Sequence, residues 1–227
     1  MEGLTVYENL EQGTDEWLAA RCGIVTASVV GQLITPKTIR PAVNDTARAL
    51  TATLVAERIT GHVEPVYANA DMERGTLAEP YARDLYAEHK GVEVAQVGFM
   101  VREEPGWRLG WSPDGLVGDD GAIEIKSPRQ KTHLATILAD DVPLWNMAQC
   151  QAALLVSGRD WLDFISYNAG MPLYIKRVLP DARWFEAIGQ AVAAFEANAA
   201  DMIATYHAAA KRFPETERID FYQDMVM

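Results

Sequence analysis

SPDGLVGDDGAIEIKSP, residues 112–128, sets an aspartate ahead of a turn and then threads an acid and a lysine through a run of isoleucines. Alternation with a period of two marks a strand on each side of the turn. A three-residue Asp119-Asp120-Gly121 loop, with Gly121 in the left-handed position, is a common hairpin connection; it pairs 118 with 122, 116 with 124 and 114 with 126. Opposed residues share a face. On this register Asp114, Glu124 and Lys126 point one way, and Ile123 and Ile125 point into the other layer.

Two carboxylates and an ammonium on one face of an apolar sheet are costly to desolvate unless something compensates. A divalent cation does so: Asp114 and Glu124 supply hard oxygen ligands, the backbone carbonyl between Glu124 and Lys126 supplies another, and magnesium keeps waters in its remaining positions. A water made acidic by the metal and oriented by Lys126 is suited to attack a phosphodiester. An ExK triplet alone recurs by accident on half-exposed strands. Pro113-Asp114, the turn and the apolar flanks carry the reading beyond that.

A chain of 227 residues has room for one domain with a substantial core, and a second full domain would be cramped. With 49% hydrophobic and 23% charged residues and no repeat, it reads as a folded protein. No apolar run approaches the roughly 20 residues of a membrane helix, and MEGLTVYENLEQ lacks the basic and apolar stretches of a signal peptide. The default expectation is a cytoplasmic protein with no membrane partner. Cys22 and Cys150 are too few for a disulfide framework or a metal cluster and read as packing residues. The net charge of −12 repels polyanions on average, so a nucleic-acid site has to be a local basic patch or a metal-loaded pocket. The basic segments TPKTIR and SPRQK read as loops able to supply such a patch.

Around the central hairpin the expected plan is α/β (α+β), a mixed central sheet flanked by helices. GTDEWLAARCG reads as a short helix capped by Thr14, and TASVVGQLI restarts one near Thr26 or Ser28. Residues 35–45 read as a loop, TARALTATLVAERITG as a helix closed by Gly61, and the run from Thr76 to Gly91 as another. Strands are expected in VEVAQVGFMV, GWRLGWSPDGLVG and AIEIKSP, then a helix over VPLWNMAQCQAALLVSG and a strand pair in WLDFISYN and PLYIKRVL. A long helix over about residues 181–212 closes the plan.

Pro113-Asp114 followed by Glu124-Ile125-Lys126 resembles the PD-(D/E)xK nuclease signature. SPDGL and IEIKSP are similar to the version found in the lambda-exonuclease-like YqaJ viral recombinase family. WLAARCGIVTAS, GTLAEPYA and NMAQCQ agree with that family in order and spacing, so the resemblance covers roughly residues 11–170. It implies a restriction-endonuclease-like core in one nuclease domain spanning the chain. It also implies a magnesium-dependent 5′-to-3′ exonuclease on duplex DNA ends, with manganese a plausible substitute. By the same resemblance Asp114, Glu124, the Ile125 carbonyl and Glu79 hold the metal, Lys126 is the catalytic lysine and Gln149 belongs to the catalytic set. Arg21 and Ser28 grip a 5′ phosphate, away from the metal ligands. Relatives form ring-shaped homotrimers and work with a single-strand annealing protein, which implies a phage or prophage origin in a bacterial host.

Each carried-over residue also has a structural reading. Thr76-Leu77-Ala78-Glu79 is a capping box, Arg21 suits a helix C-terminus, Ser28 suits an N-cap, and Gln151 competes with Gln149, which sequence order favours. Trp17 and Trp111 are able to stack on bases, although core packing is the commoner fate. Ser127 stands where relatives often have cysteine, and Asn146 where the lambda enzyme has tyrosine. The rival functions are an endonuclease on the same core and a catalytically silent DNA-end or partner-binding protein.

Overall fold

The computed structural model describes residues 3–65 and 69–219. Its centre is a five-stranded mixed sheet in the order β10-β9-β8-β7-β4, formed by β4 (Val94–Ala95), β7 (Gly115–Val117), β8 (Gly121–Lys126), β9 (Trp161–Ser166) and β10 (Tyr174–Val178). β8 and β9 run parallel and the other pairs antiparallel. The parallel step requires a crossover, and α5 (Gln130–Ala139) and α6 (Leu144–Ser157) provide it.

A second sheet of three strands, in the order β1-β5-β6, joins β1 (Leu4–Tyr7), β5 (Phe99–Glu104) and β6 (Trp107–Trp111). The run GWRLGWSPDGLVG is therefore divided between the two sheets at Ser112-Pro113-Asp114. A small hairpin of β2 (Ile34–Thr35) and β3 (Arg40–Pro41) occupies the segment expected to be loop, and α5 begins inside the SPRQK segment. The N-terminal half holds α1 (Asp15–Arg21), α2 (Ala27–Val30), α3 (Asp45–Thr60) and α4 (Ala70–Lys90); α7 (Ala182–Ala210) closes the chain. This mixed α/β plan matches the expected fold class.

α4 begins six residues before Thr76. Asn69 caps it, its Oδ1 accepting from the N–H groups of Asp71 and Met72, and Asp71 and Glu73 suit the positive end of the helix. Thr76 lies inside the helix and donates its hydroxyl to the Met72 carbonyl, so the Thr76–Glu79 capping box does not form. Glu79 is thereby freed from any capping duty.

The sheet separates two apolar layers. On one side Ile123, Ile125 and Val117 pack with Ala82 and Tyr86 of α4. On the other, Ala122 joins the larger core, which α6 and α7 cover with Ala148, Leu154, Ile188 and Phe195. Trp111, 1% exposed, belongs to that core and not to any binding face.

The central hairpin differs from expectation in its turn. Gly115 pairs with Ile123, Leu116 with Ala122 and Val117 with Gly121, so the loop is Gly118-Asp119-Asp120 and Gly118, with φ of 54°, takes the left-handed position. Gly121 is needed for another reason: a Cβ there would lie 2.0 Å from the Trp161 indole. Arg159 clamps the turn by donating to the carbonyls of Gly118 (2.9 Å) and Gly121 (2.6 Å). Continuing the register sets Asp114 opposite Glu124 instead of Lys126. A shift of two residues preserves the face of every side chain, so the convergence of the three survives.

Candidate active site

Glu124 is 1% exposed on the α6 side of β8. Its Oε1 accepts from Lys126 Nζ at 2.7 Å and from Gln149 Nε2 at 2.5 Å, while its Oε2 is buried without a hydrogen-bond partner. A buried carboxylate oxygen left in that state is costly. Asp114, half-buried, is fixed by the Ile125 N–H, which donates to Oδ2 at 2.6 Å. The Ile125 peptide thus sits between the two carboxylates and the lysine. Glu79 reaches the same end of the sheet from α4, held by an ion pair with Arg83, whose Nε donates to the Asp114 carbonyl at 2.7 Å. Sequence reasoning missed Arg83; its signal was the four-residue spacing from Glu79, which places both on one helix face.

The electrostatics follow from this crowding. Burial, reinforced by the charges of Glu124 and Glu79, raises the Asp114 carboxyl well above the usual carboxylate range, against the pull of Lys126. Burial and Glu124 also raise Glu79 despite Arg83 and Lys126. For Lys126 burial acts downward, but Glu124 and Asp114 outweigh it and the ammonium is held more firmly than an ordinary lysine. The site carries more negative charge than its own groups neutralise.

Among the described residues no three His, Cys, Asp or Glu side chains already close a metal cage. The fit to a cation rests on the unpartnered Glu124 Oε2, the neighbouring Asp114 carboxylate, backbone oxygen and water. That donor set suits magnesium, which commonly takes one or two protein carboxylates and keeps several waters.

Gln149 is the glutamine that meets Glu124. Gln151 instead ties α6 to the start of α7, donating to the Leu179 carbonyl at 2.9 Å and accepting from the Asp181 N–H at 3.0 Å. Its role is architectural.

Arg21 and Ser28 are brought together through Thr26. Arg21 Nη2 donates to Thr26 Oγ1 at 3.4 Å, and Thr26 Oγ1 shares a hydrogen bond with Ser28 Oγ at 3.0 Å. Thr26 had been read only as a possible helix start. The Arg21 guanidinium lies 4.0 Å from the Trp17 ring centroid, and Trp17 Nε1 donates to Ser112 Oγ at 3.0 Å, two residues before Asp114. A chain of contacts thus runs from Arg21 through Trp17 to the segment that leads to Asp114. Burial lowers the Arg21 pKa, and Glu57 opposes it. Glu57 also accepts the Gly23 N–H at 2.7 Å, while Arg58 donates to the Gly23 carbonyl and pairs with Glu196 of α7. The turn behind Arg21 is anchored by α3, and α7 braces that anchor through Glu196.

The basic segments divide in use. Arg129 and Lys131 line a groove of about 490 Å³ with Arg74 and Tyr167 beside the end of β8, where Arg129 and Arg74 both pair with Asp71. Lys37 lines a separate groove near β10. No helix of the described residues is long and apolar enough to cross a membrane.

Comparison with known proteins identifies the family and the fold. The family model of the YqaJ-like viral recombinase domain matches residues 16–160, more than half of the chain. No curated protein sequence matches. Among solved structures, the alkaline exonuclease LHK-Exo from Laribacter hongkongensis is 35% identical, with a TM-score of 0.78 over 88% of this chain and 99% of that one. Its complex with dAMP is 37% identical, with a TM-score of 0.77 over 87% and 99%. A phage related exonuclease from Haemophilus somnus 129PT, 15% identical with a TM-score of 0.59 over 80% and 96%, shares the fold. The chain belongs to the YqaJ-like viral recombinase family.

Proposed function

We propose that the protein is a magnesium-dependent deoxyribonuclease that digests linear duplex DNA from its 5′ ends, serving recombination by single-strand annealing. The observation that carries this reading is the buried, unpartnered Glu124 Oε2 beside Asp114 and the Lys126 ammonium. The 35–37% identity to an alkaline exonuclease supports the exonuclease activity.

Asp114, Glu124, the Ile125 carbonyl and Glu79 are the groups that would hold magnesium, or manganese in its place. When bound, the metal supplies Lewis-acid stabilisation of phosphate charge and a more acidic water. Gln149 engages Glu124 Oε1 and so keeps Oε2 directed to the site. Lys126 retains its proton and sets a fixed positive charge where negative charge develops in the transition state. Arg21, with Ser28 and Thr26, forms a guanidinium-and-hydroxyl pocket for a terminal phosphate, which carries more charge than an internal diester. Because a chain of net charge −12 attracts DNA weakly in general, retention on the track is assigned to a closed homotrimer around the duplex. A single-strand annealing protein takes up the exposed strand.

The deciding experiment incubates end-labelled linear duplex and covalently closed circular duplex with the protein, with and without magnesium. Magnesium-dependent release of nucleotides from 5′ ends, with the circle untouched, is expected. Cutting of the circle would make it an endonuclease, and no cutting of either would sink the nuclease reading. Arg21→Ala should slow digestion of 5′-phosphorylated duplex about tenfold or more while 5′-hydroxyl duplex changes little, the loss expected for a hydrogen bond to a charged group. Sedimentation giving a monomer at micromolar concentration would overturn the ring.

A further inference from the structure

Trp145, at the start of α6, is a large aromatic ring left 68% exposed. It lies four residues before Gln149, on the same helix face. Gln149 contacts Glu124, so Trp145 stands one helical turn from the candidate metal site. Beside it opens a small cavity of about 210 Å³ whose lining includes Lys126, Ser127, Thr132, Trp145, Asn146 and Ser166. Lys126 is the only charged group of that lining.

The lining chemistry selects the occupant. Neutral hydroxyl and amide groups, an exposed indole and a single ammonium at one edge do not make a phosphate pocket, which would gather guanidinium groups and backbone N–H donors. They suit a flat, uncharged, hydrogen-bonding ring attached to a phosphate that faces the ammonium. Among the described residues the Asn146 side-chain amide makes no hydrogen bond, although Asn146 is half-buried; its backbone N–H is used by the Pro143 carbonyl. An amide presents both donors and an acceptor, the combination a nucleobase edge requires. An aromatic face next to it binds any base by stacking and so tolerates every sequence.

We infer that this cavity is a nucleoside subsite: Trp145 stacks on the base of the nucleotide joined to the scissile phosphate, and Asn146 hydrogen-bonds its edge. The inference rests on the nuclease reading for the position of the phosphate. Trp145 and Asn146 are binding residues in this scheme, and Lys126 is shared with the chemistry.

The test separates the two readings by using binding as well as turnover. With calcium in place of magnesium, wild type, Trp145→Ala, Trp145→Phe and Asn146→Ala are titrated calorimetrically with deoxynucleoside 5′-monophosphates and with deoxyribose 5-phosphate, which lacks the base. Trp145→Ala should weaken nucleotide binding about tenfold and leave the baseless sugar phosphate unchanged, Trp145→Phe should recover most of the loss, and Asn146→Ala should act in the same direction more weakly. Digestion of duplex with one abasic nucleotide should pause at that position in wild type, and the pause should vanish against the slower background of Trp145→Ala. Equal weakening toward both ligands, or a Trp145→Ala protein that changes only its sedimentation, would overturn the subsite. Base-dependent binding in a wild type that cuts no DNA would uphold the subsite and overturn the nuclease reading.

Discussion

Two buried carboxylates sit on adjacent strands of the central sheet, each 1% exposed, and they are treated in opposite ways. Asp163 on β9 has both oxygens satisfied: Oδ1 accepts from Arg177 Nε at 2.8 Å, and Oδ2 accepts from Tyr86 at 2.8 Å and Arg177 Nη2 at 2.9 Å. Arg177 also lies 3.6 Å from the Trp161 ring centroid. Glu124 on β8 has two donors crowded on one oxygen and none on the other. A closed network ties elements together, whereas an open one is complete only with something added. Burial and charge alone do not distinguish structure from function; the state of each oxygen does.

This contrast is sharpest in variants. Glu124→Gln preserves shape and removes the charge, so it should leave the protein folded and cut hydrolysis about 100- to 1,000-fold, equivalent to ~3–4 kcal/mol of transition-state stabilisation. Single-turnover rates on linear duplex, with circular dichroism as the control for folding, would measure it. A Glu124→Gln protein with wild-type turnover would break the comparison at its functional end.

Asp163→Ala should do the reverse, destabilising the fold while leaving the chemical groups in place. Breaking a buried ion pair typically costs about 3–5 kcal/mol. The Arg177 side chain is 49% exposed and recovers some hydration, so about 2–3 kcal/mol is expected in denaturant unfolding. Tyr86→Phe removes one neutral donor to a charged acceptor, and about 1–2 kcal/mol should follow. Burial first, then Asp163, holds the Tyr86 hydroxyl well above the ordinary tyrosine pKa, so that donor persists through the alkaline range.

The smallest expected effect concerns pH. Asp114 and Glu79 have raised pKa values in the metal-free protein, so their protonated forms favour the fold. That contribution is complete below the ordinary carboxylate range and declines as pH rises toward the folded values. A bound cation favours the ionised forms. Magnesium should therefore raise the melting temperature more at pH 8 than at pH 5.5, by a few degrees for each kcal/mol of linkage in a chain of this size. Differential scanning fluorimetry reads this directly; an equal shift at both values would detach the two carboxyl groups from the cation.

The sequence made the face shared by Asp114, Glu124 and Lys126 legible because strand periodicity survives an error of two residues in the turn. The turn itself was ambiguous: GDDG has a glycine at each end, and only the distant Trp161 indole decides which glycine is needed for space. α4 was read short because Gly75 resembles a break, while the Asn69 cap and the acidic first turn lie before it. β1 pairs with β5 across more than ninety residues, beyond the reach of local pattern. Thr26 and Arg83 each act through a residue that was already chosen: the Arg83 pairing with Glu79 is written in their four-residue spacing, whereas the Thr26 bridge between Arg21 and Ser28 appears only in three dimensions.

The parallel join between β8 and β9 has an evolutionary consequence. Both carboxylates of the hairpin and the lysine lie on or before β8, whereas Trp145, Asn146 and Gln149 ride on the crossover that follows, and Arg159 pins its far end to the hairpin turn. The nucleoside contacts and the Glu124–Lys126 pair are thus inherited on separate lengths of chain, with Gln149 as the link between them. Recombination between relatives at the two ends of the crossover would exchange Trp145 and Asn146 together with Gln149, and leave Asp114, Glu124 and Lys126 of the recipient in place.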